Sequence, residues 1–262
     1  MTERINIVKS FYEEVDEELR LEKSRHGQLE FRTTMEYIHR MVVDGAKILE
    51  VGAGTGRYSI ALAKEGYEVT AIELLENNLA VLKEKGKGLD KLQAFQGDAL
   101  DLSRWEDGTF DLTLVLGPMY HLYEKEQVHK AIDEAIRVTK KDGVIFFAFL
   151  SVYAILFNNY LKETLLEGLE ENFTESYEIR HFEEQLFTGY DIVEFEELFA
   201  RKDIDYISTV ATDTILELAR KRTDFVMSEE DFEAFAKYHL ATCEKRELLG
   251  SSSHLLYICR KK

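Results

Sequence analysis

The sequence predicts an α/β protein with a mostly parallel, seven-stranded sheet and helices on both of its faces. Three observations carry that expectation. From Lys47 to Leu150, short apolar runs alternate with stretches at helical period. Phe110–Leu116 is nearly all apolar, as a strand covered on both faces should be. A glycine-rich turn follows the first apolar run directly and opens a helix.

The elements follow in order. Residues 1–44 read as helical, with Ile5, Val8, Phe11 and Tyr12 near a helical period. A polar break at Ser24–Gln28 precedes a second helix carrying Phe31, Met35, Ile38 and Met41. Lys47–Val51 is the first strand, and Arg57–Lys64 is a helix closed by Gly66. Glu68–Glu73 is the second strand, followed by a helix over Asn77–Lys85 with Gly86 just past its end. Leu92–Gln96 and Phe110–Leu116 are the third and fourth strands. A helix over Glu124–Lys140, ended by Asp142-Gly143, leads to the fifth strand, Val144–Leu150. Ile204–Ala211 and His254–Cys259 supply the sixth and seventh. The chain thus reads as one domain over 1–262: a helical segment 1–44, a core 45–150, helical caps 151–200 and 213–247, and last strands within 203–211 and 252–260.

Composition narrows the partners. A formal net charge of −17 repels polyanions and anionic membranes at long range, and no run of Lys and Arg offers a local patch. Neither nucleic acid nor a membrane is expected as a partner, and the oligomeric state is not legible. Cys243 and Cys259 are the only cysteines, too few for a disulfide framework and without metal-ligand spacing. The first residues lack the apolar stretch of a signal peptide. The longest apolar run, Val144–Phe157 with Ser151 interrupting, is too short to cross a bilayer and suits a buried strand running into a helix. The expected compartment is the cytoplasm.

The chemistry concentrates at Glu50-Val51-Gly52-Ala53-Gly54-Thr55-Gly56. Glycines there permit a tight turn and let a ligand approach bare backbone. The spacing is G-x-G-x-G after a carboxylate, not the G-x-G-x-x-G of dinucleotide sites. Glu73 ends the second strand at the distance expected for a ribose-binding acid. Gly97-Asp98-Ala99-Leu100 follows the third strand, and Leu116-Gly117-Pro118-Met119-Tyr120-His121 follows the fourth. Pro118 is the only proline in the chain.

These motifs resemble those of class I, Rossmann-like S-adenosylmethionine-dependent methyltransferases, in a bacterial subgroup acting on small molecules. The resemblance implies that Gly52, Gly54 and Gly56 hold the methionine half of S-adenosylmethionine, with Glu50 reaching its amino group through water. It implies that Glu73 takes the ribose, Leu74 lies under the adenine, Asp98 or the Ala99 N–H reads the adenine edge, and Leu116, ending the fourth strand, also binds the cofactor. It also implies that 1–44 is a lid. The match is specific over the cofactor half and vague over the substrate half.

A sulfonium methyl is already activated, so alignment of the acceptor and exclusion of water supply most of the catalysis. An N or O acceptor needs its lone pair free, and His121 is the candidate base because imidazole titrates near neutrality. Tyr120 is the candidate for lining the acceptor pocket. Packing roles are the alternative for both, and His254 reads as structural. No spacing of His, Asp and Glu suggests a metal, so metal-free transfer to a small molecule is expected. A nicotinamide oxidoreductase would need the other glycine spacing. An RNA or protein methyltransferase would want a basic groove or an N/D-P-P-aromatic motif. A non-catalytic cofactor-binding regulator would carry the same binding residues and stays open.

Overall fold

The computed structural model describes residues 7–10, 20–161, 163–220 and 222–262. Ile5, Phe11 and Tyr12 lie outside the described residues. One sheet organises the fold, in the order β3-β2-β1-β4-β5-β8-β7. Its strands are β1 (Lys47–Val51), β2 (Glu68–Glu73), β3 (Leu92–Gln96), β4 (Phe110–Val115), β5 (Thr139–Ser151), β7 (Ile204–Ala211) and β8 (His254–Lys261). An eighth strand, β6 (Gly189–Tyr190), pairs with the end of β5 at Leu150 and Ser151. Among the described residues the sheet thus has eight strands, one more than the seven expected. Two residues inside a stretch read as helical leave too little pattern to see.

The strands β1 to β6 run parallel, whereas β8 is antiparallel to both β5 and β7. Strand order reverses between β1 and β4, which pair through Glu50 and Leu114, and Val51 and Val115. Ligands in open α/β sheets bind beyond the carboxyl ends of strands at such a switch point.

Residues 7–10 are helical, and from Arg20 onward the chain begins with a short α1 (Arg20–Lys23) and α2 (Arg25–Met41). The break between them is tighter than the sequence suggests: Ser24 alone separates them, and its Oγ caps α2 by accepting the Gly27 N–H at 3.2 Å. Along the sheet follow α3 (Arg57–Lys64), α4 (Glu76–Lys85) and α5 (Lys125–Val138). Helix α5 ends at Val138, and Thr139 and Lys140 are already strand. The Thr139 hydroxyl donates to Ala135 O at 2.6 Å and sits 2.7 Å from that of Thr113, both threonines being fully buried. Tertiary pairing thus overrides helical propensity, and Asp142, at φ +64°, makes a bend inside β5 rather than a helix end.

The caps are less helical than expected. Helices α6 (Val152–Asn159), α7 (Leu165–Asn172) and α8 (Ile192–Glu197) leave 173–188 irregular. Ser151 ends β5 and caps α6, accepting the Ala154 N–H, so the apolar run does pass from strand into helix. The second cap holds α9 (Leu216–Ala219), α10 (Glu229–Thr242) and α11 (Arg246–Leu249). Helix α2 docks on it through Leu29, which clusters with Leu216, Phe232 and Ala236. Arg32 grips Glu233 with two bonds of 2.6 and 2.9 Å, while Arg25 and Arg32 lie over the Phe232 ring.

Candidate functional site

A cavity of about 280 Å³ opens at the switch point. The three glycines after β1 all have left-handed backbones, with φ of +76° at Gly52, +54° at Gly54 and +88° at Gly56. Gly52 also permits a close approach: a Cβ there would lie 2.6 Å from Pro118 Cδ. The turn after β1 and the turn after β4 can therefore share one wall of the cavity.

Of the carboxylates that line this cavity, Glu50 and Glu73 are each almost fully buried. Glu50, on β1, accepts a hydrogen bond from the Ser59 hydroxyl of α3. Burial and the neighbouring Glu73 charge push its carboxyl up to about 8, against the lowering effect of Ser59. Glu73, at the end of β2, accepts the Gly54 N–H at 2.8 Å through Oε2 and the Leu75 N–H at 2.8 Å through Oε1. It therefore braces the glycine turn as well as facing the cavity.

The remaining expected residues converge here. Leu74, Asp98, Ala99 and Leu116 line the same cavity as Glu50, Glu73, Gly52 and Gly54. Gly56 stands back from it as the N-cap of α3, where a Cβ would meet Leu82. Asp98 is also a turn residue, its Oδ1 accepting the Leu100 N–H at 2.9 Å. Sequence reasoning missed Ser59, Asn78 and Arg57. Ser59 had no sequence signal, because only the packing of α3 against β1 brings it to Glu50. Val8 and Leu21 close the cavity from the N-terminal side. Arg57 stacks on Phe31 of α2 at 4.4 Å, tying that helix to the start of α3.

Tyr120 and His121 sit on a 3₁₀ turn, Pro118–His121, and both line the cavity. The Tyr120 hydroxyl donates to Leu116 O at 2.9 Å, and its ring is 7% exposed. His121 Nδ1 lies 3.0 Å from Leu186 O. A carbonyl only accepts, so the proton of the neutral ring is on Nδ1 and the lone pair on Nε2.

His254 is half-buried, with Nδ1 2.7 Å from Asp213 Oδ2. Asp213 Oδ1 accepts the Ser252 hydroxyl and the N–H groups of Ser253 and His254. With Glu30, these residues bring three ligand-type atoms within 4.8 Å of one another. No spacing along the chain announces this cluster, because it joins α2, the end of β7 and β8. The hydrogen bonds to Asp213 account for the burial of its carboxylate.

Residues 48–143 match the family model described as a methyltransferase domain. That stretch runs from β1 to the middle of β5 and contains both carboxylates and the turn after β4. Over that stretch the chain is similar to methyltransferase domains.

A demethylmenaquinone methyltransferase of Clavibacter sepedonicus is 35% identical over 103 residues, 39% of this chain and 40% of that protein. A glycine/sarcosine N-methyltransferase of Parasynechococcus marenigrum (strain WH8102) is 32% identical over 112 residues, 42% and 40% of the two chains. The chain spans about half the length, or less, of the curated relatives it matches. Among solved structures, a Pyrococcus horikoshii OT3 protein has the same fold, with a TM-score of 0.62 at 17% identity over 97% of this chain and 99% of that one.

The donor set suits S-adenosylmethionine. Its ammonium and sulfonium carry the positive charge that two buried carboxylates call for, and its ribose diol supplies donors. Among the described residues, no helix is long and apolar enough to cross a membrane.

Proposed function

We propose that the chain is a cytoplasmic S-adenosylmethionine-dependent methyltransferase, moving a methyl group to a small-molecule N or O acceptor without a metal. One observation carries the reading: Glu50 and Glu73, from adjacent strands, close on a single cavity at the switch point. In this reading Glu73 takes the ribose hydroxyls, Glu50 faces the amino group, and Leu74, Asp98, Ala99 and Leu116 surround the base. S-adenosylmethionine supplies a methyl already activated by its sulfonium. The protein's own task is then to orient the acceptor, exclude water and hold a proton. Val8 and Leu21 on the N-terminal side support the lid role. His121 Nε2, the basic nitrogen of the neutral ring, is the proposed proton acceptor, and Tyr120 shapes the acceptor side.

A net charge of −17 argues for a small acceptor over a nucleic acid. The two named relatives differ in acceptor, so the shared domain leaves the acceptor to the caps. Calorimetry with S-adenosylhomocysteine and with NAD tests the reading. Binding of the former alone is expected; tight NAD binding without a response to S-adenosylhomocysteine would overturn it. Transfer of labelled methyl to a metabolite panel, unchanged by EDTA, tests catalysis. Binding without transfer to any acceptor would instead mark a regulator.

A further inference from the structure

A second cavity, of about 500 Å³, shares Tyr120 with the first. Its wall comes from parts of the chain far apart in sequence: His26 on α2, Tyr160 after α6, Gln185 in the irregular segment, Glu217 on α9 and His254 on β8. A volume of this size suits a small organic molecule.

Hydrogen bonding leaves this wall rich in acceptors. Asn172 Nδ2 donates to Gly168 O at 2.9 Å, which fixes Asn172 Oδ1 as an acceptor. Gln185 Nε2 donates to that oxygen at 3.3 Å, so the other end of the Gln185 amide is its oxygen. Gln185 is 5% exposed, and its Oε1 has no partner in the protein. His26 is 6% exposed, and its Nδ1 is likewise unpartnered. Buried polar atoms are nearly always satisfied, so an amide oxygen left over on a cavity wall calls for a donor from a ligand.

Charge points the same way. Glu217 accepts Asn158 Nδ2 at 2.9 Å. Burial works to raise its carboxyl, but the charge of His254, the Ser253 hydroxyl, His26 and Arg220 outweigh it and hold Glu217 below the ordinary value. Glu171, the partner of the Tyr160 hydroxyl at 2.7 Å, adds a second carboxylate. Arg220 is an opposing charge beside the two histidines; its side chain is half exposed and 3.6 Å from Glu217. Burial keeps the His26 ring below its ordinary value.

We infer that this second cavity binds the ammonium head of a small amine. The ammonium donates to Gln185 Oε1 and lies beside the Glu217 carboxylate, with the Tyr120 and Tyr160 rings around it. The amine's role as methyl acceptor rests on the function proposed above, but its binding does not. Tyr120, common to both cavities, is the wall such an acceptor would pass.

The test is an NMR titration of the full chain, following the imidazole signals of His26, His254 and the exposed His39. The probes are phenethylamine, tyramine and butylamine, with 2-phenylethanol as the uncharged counterpart of the first. At least one amine should shift His26 and His254 but not His39, and phenethylamine should bind about ten-fold or more tightly than 2-phenylethanol. Glu217→Gln keeps the Asn158 contact and should weaken the amine by about ten-fold, leaving S-adenosylhomocysteine binding unchanged. If that variant does not fold, Gln185→Glu should tighten the amine instead. Three amines that shift neither histidine, or an alcohol that binds as well as its amine, would overturn the inference. Calorimetry with S-adenosylhomocysteine on the same sample separates the two claims. Its failure removes the methyltransferase reading, and failure of the amines alone removes this one.

Discussion

Gly54 donates its backbone N–H to Glu73 at 2.8 Å, tying the glycine turn after β1 to the carboxylate that ends β2. The other carboxylate oxygen takes the Leu75 N–H, so one side chain fixes two turns at the rim of the cavity. A carboxylate can accept from a hydroxyl as well as from backbone N–H groups. Glu73→Ala should therefore lower affinity for S-adenosylhomocysteine by about ten- to a hundred-fold, from loss of charge-assisted bonds worth roughly 1.5–3 kcal/mol. The unfolding midpoint should fall as well, because Gly54 and Leu75 lose their acceptor. Calorimetry and thermal unfolding measure both, and an unchanged dissociation constant would put the ribose elsewhere.

Glu50 makes stability depend on pH. Burial raises its carboxyl to about 8 from the ordinary 4.5. Between these values the folded protein holds a proton that the unfolded chain has released. The group's contribution is therefore fully present below 4.5 and is lost as pH rises through about 8. Glu50→Gln retains a partner for Ser59 without a titrating group. Its stability relative to wild type should grow between about pH 5 and about pH 8. Urea unfolding at both ends of that window checks the slope, and parallel curves would show that Glu50 is already ionised when folded.

The sheet core was legible because each strand from β1 to β4 is an apolar run ended by glycine or a carboxylate, and local pattern suffices there. Glu50, Glu73 and Asp98 were legible for the same reason, since each lies within two residues of a strand's end. The caps were not. Residues 173–188 are held by isolated bonds, such as the tertiary Thr188 N–H to Tyr120 O at 2.7 Å and the local Arg180 N–H to Asn172 O at 2.9 Å. Such bonds leave no period in sequence. His254 read as structural, and its bond to Asp213 agrees with a packed, oriented ring. Its company with His26, Gln185 and Glu217 is a product of topology alone.

The N-terminal segment should respond to ligand. Val8 and Leu21 reach the cavity, and Arg57 over Phe31 links α2 to the helix that opens beside it. Hydrogen exchange over residues 20–35 should slow when S-adenosylhomocysteine is added, because opening would expose the ligand. Exchange that does not change would make this segment a fixed brace.

The same segment should be anchored by one ring. Phe232 is 1% exposed, packs on Leu29 and carries Arg25 and Arg32 over its face at 4.5 and 5.5 Å. Phe232→Ala should destabilise the protein by about 3–5 kcal/mol through the cavity it leaves. Glu233→Ala, which removes only a solvent-screened ion pair, should cost far less. Chemical denaturation of both variants decides the ranking, and a larger loss from Glu233→Ala would show that charge, not packing, fastens α2 to α10.

His121 is the sharpest test of the acceptor side. Its Nδ1–H bond to Leu186 O fixes the ring from the irregular cap segment, which leaves Nε2 as the basic nitrogen of the neutral form. The ring lines the same cavity as Glu50 and Glu73, so a proton leaving an acceptor there has a base in reach. If it takes that proton, His121→Ala should lower kcat by roughly 10²–10⁴-fold and leave S-adenosylhomocysteine affinity nearly unchanged. If it only orients the acceptor, the loss should fall on KM instead. His121→Gln separates the two, since glutamine can hold Leu186 but cannot accept the proton; it should rescue KM without rescuing kcat. A variant that loses stability yet keeps its specific activity per folded molecule would make His121 a packing residue, joined to Leu186 for the sake of the cap alone.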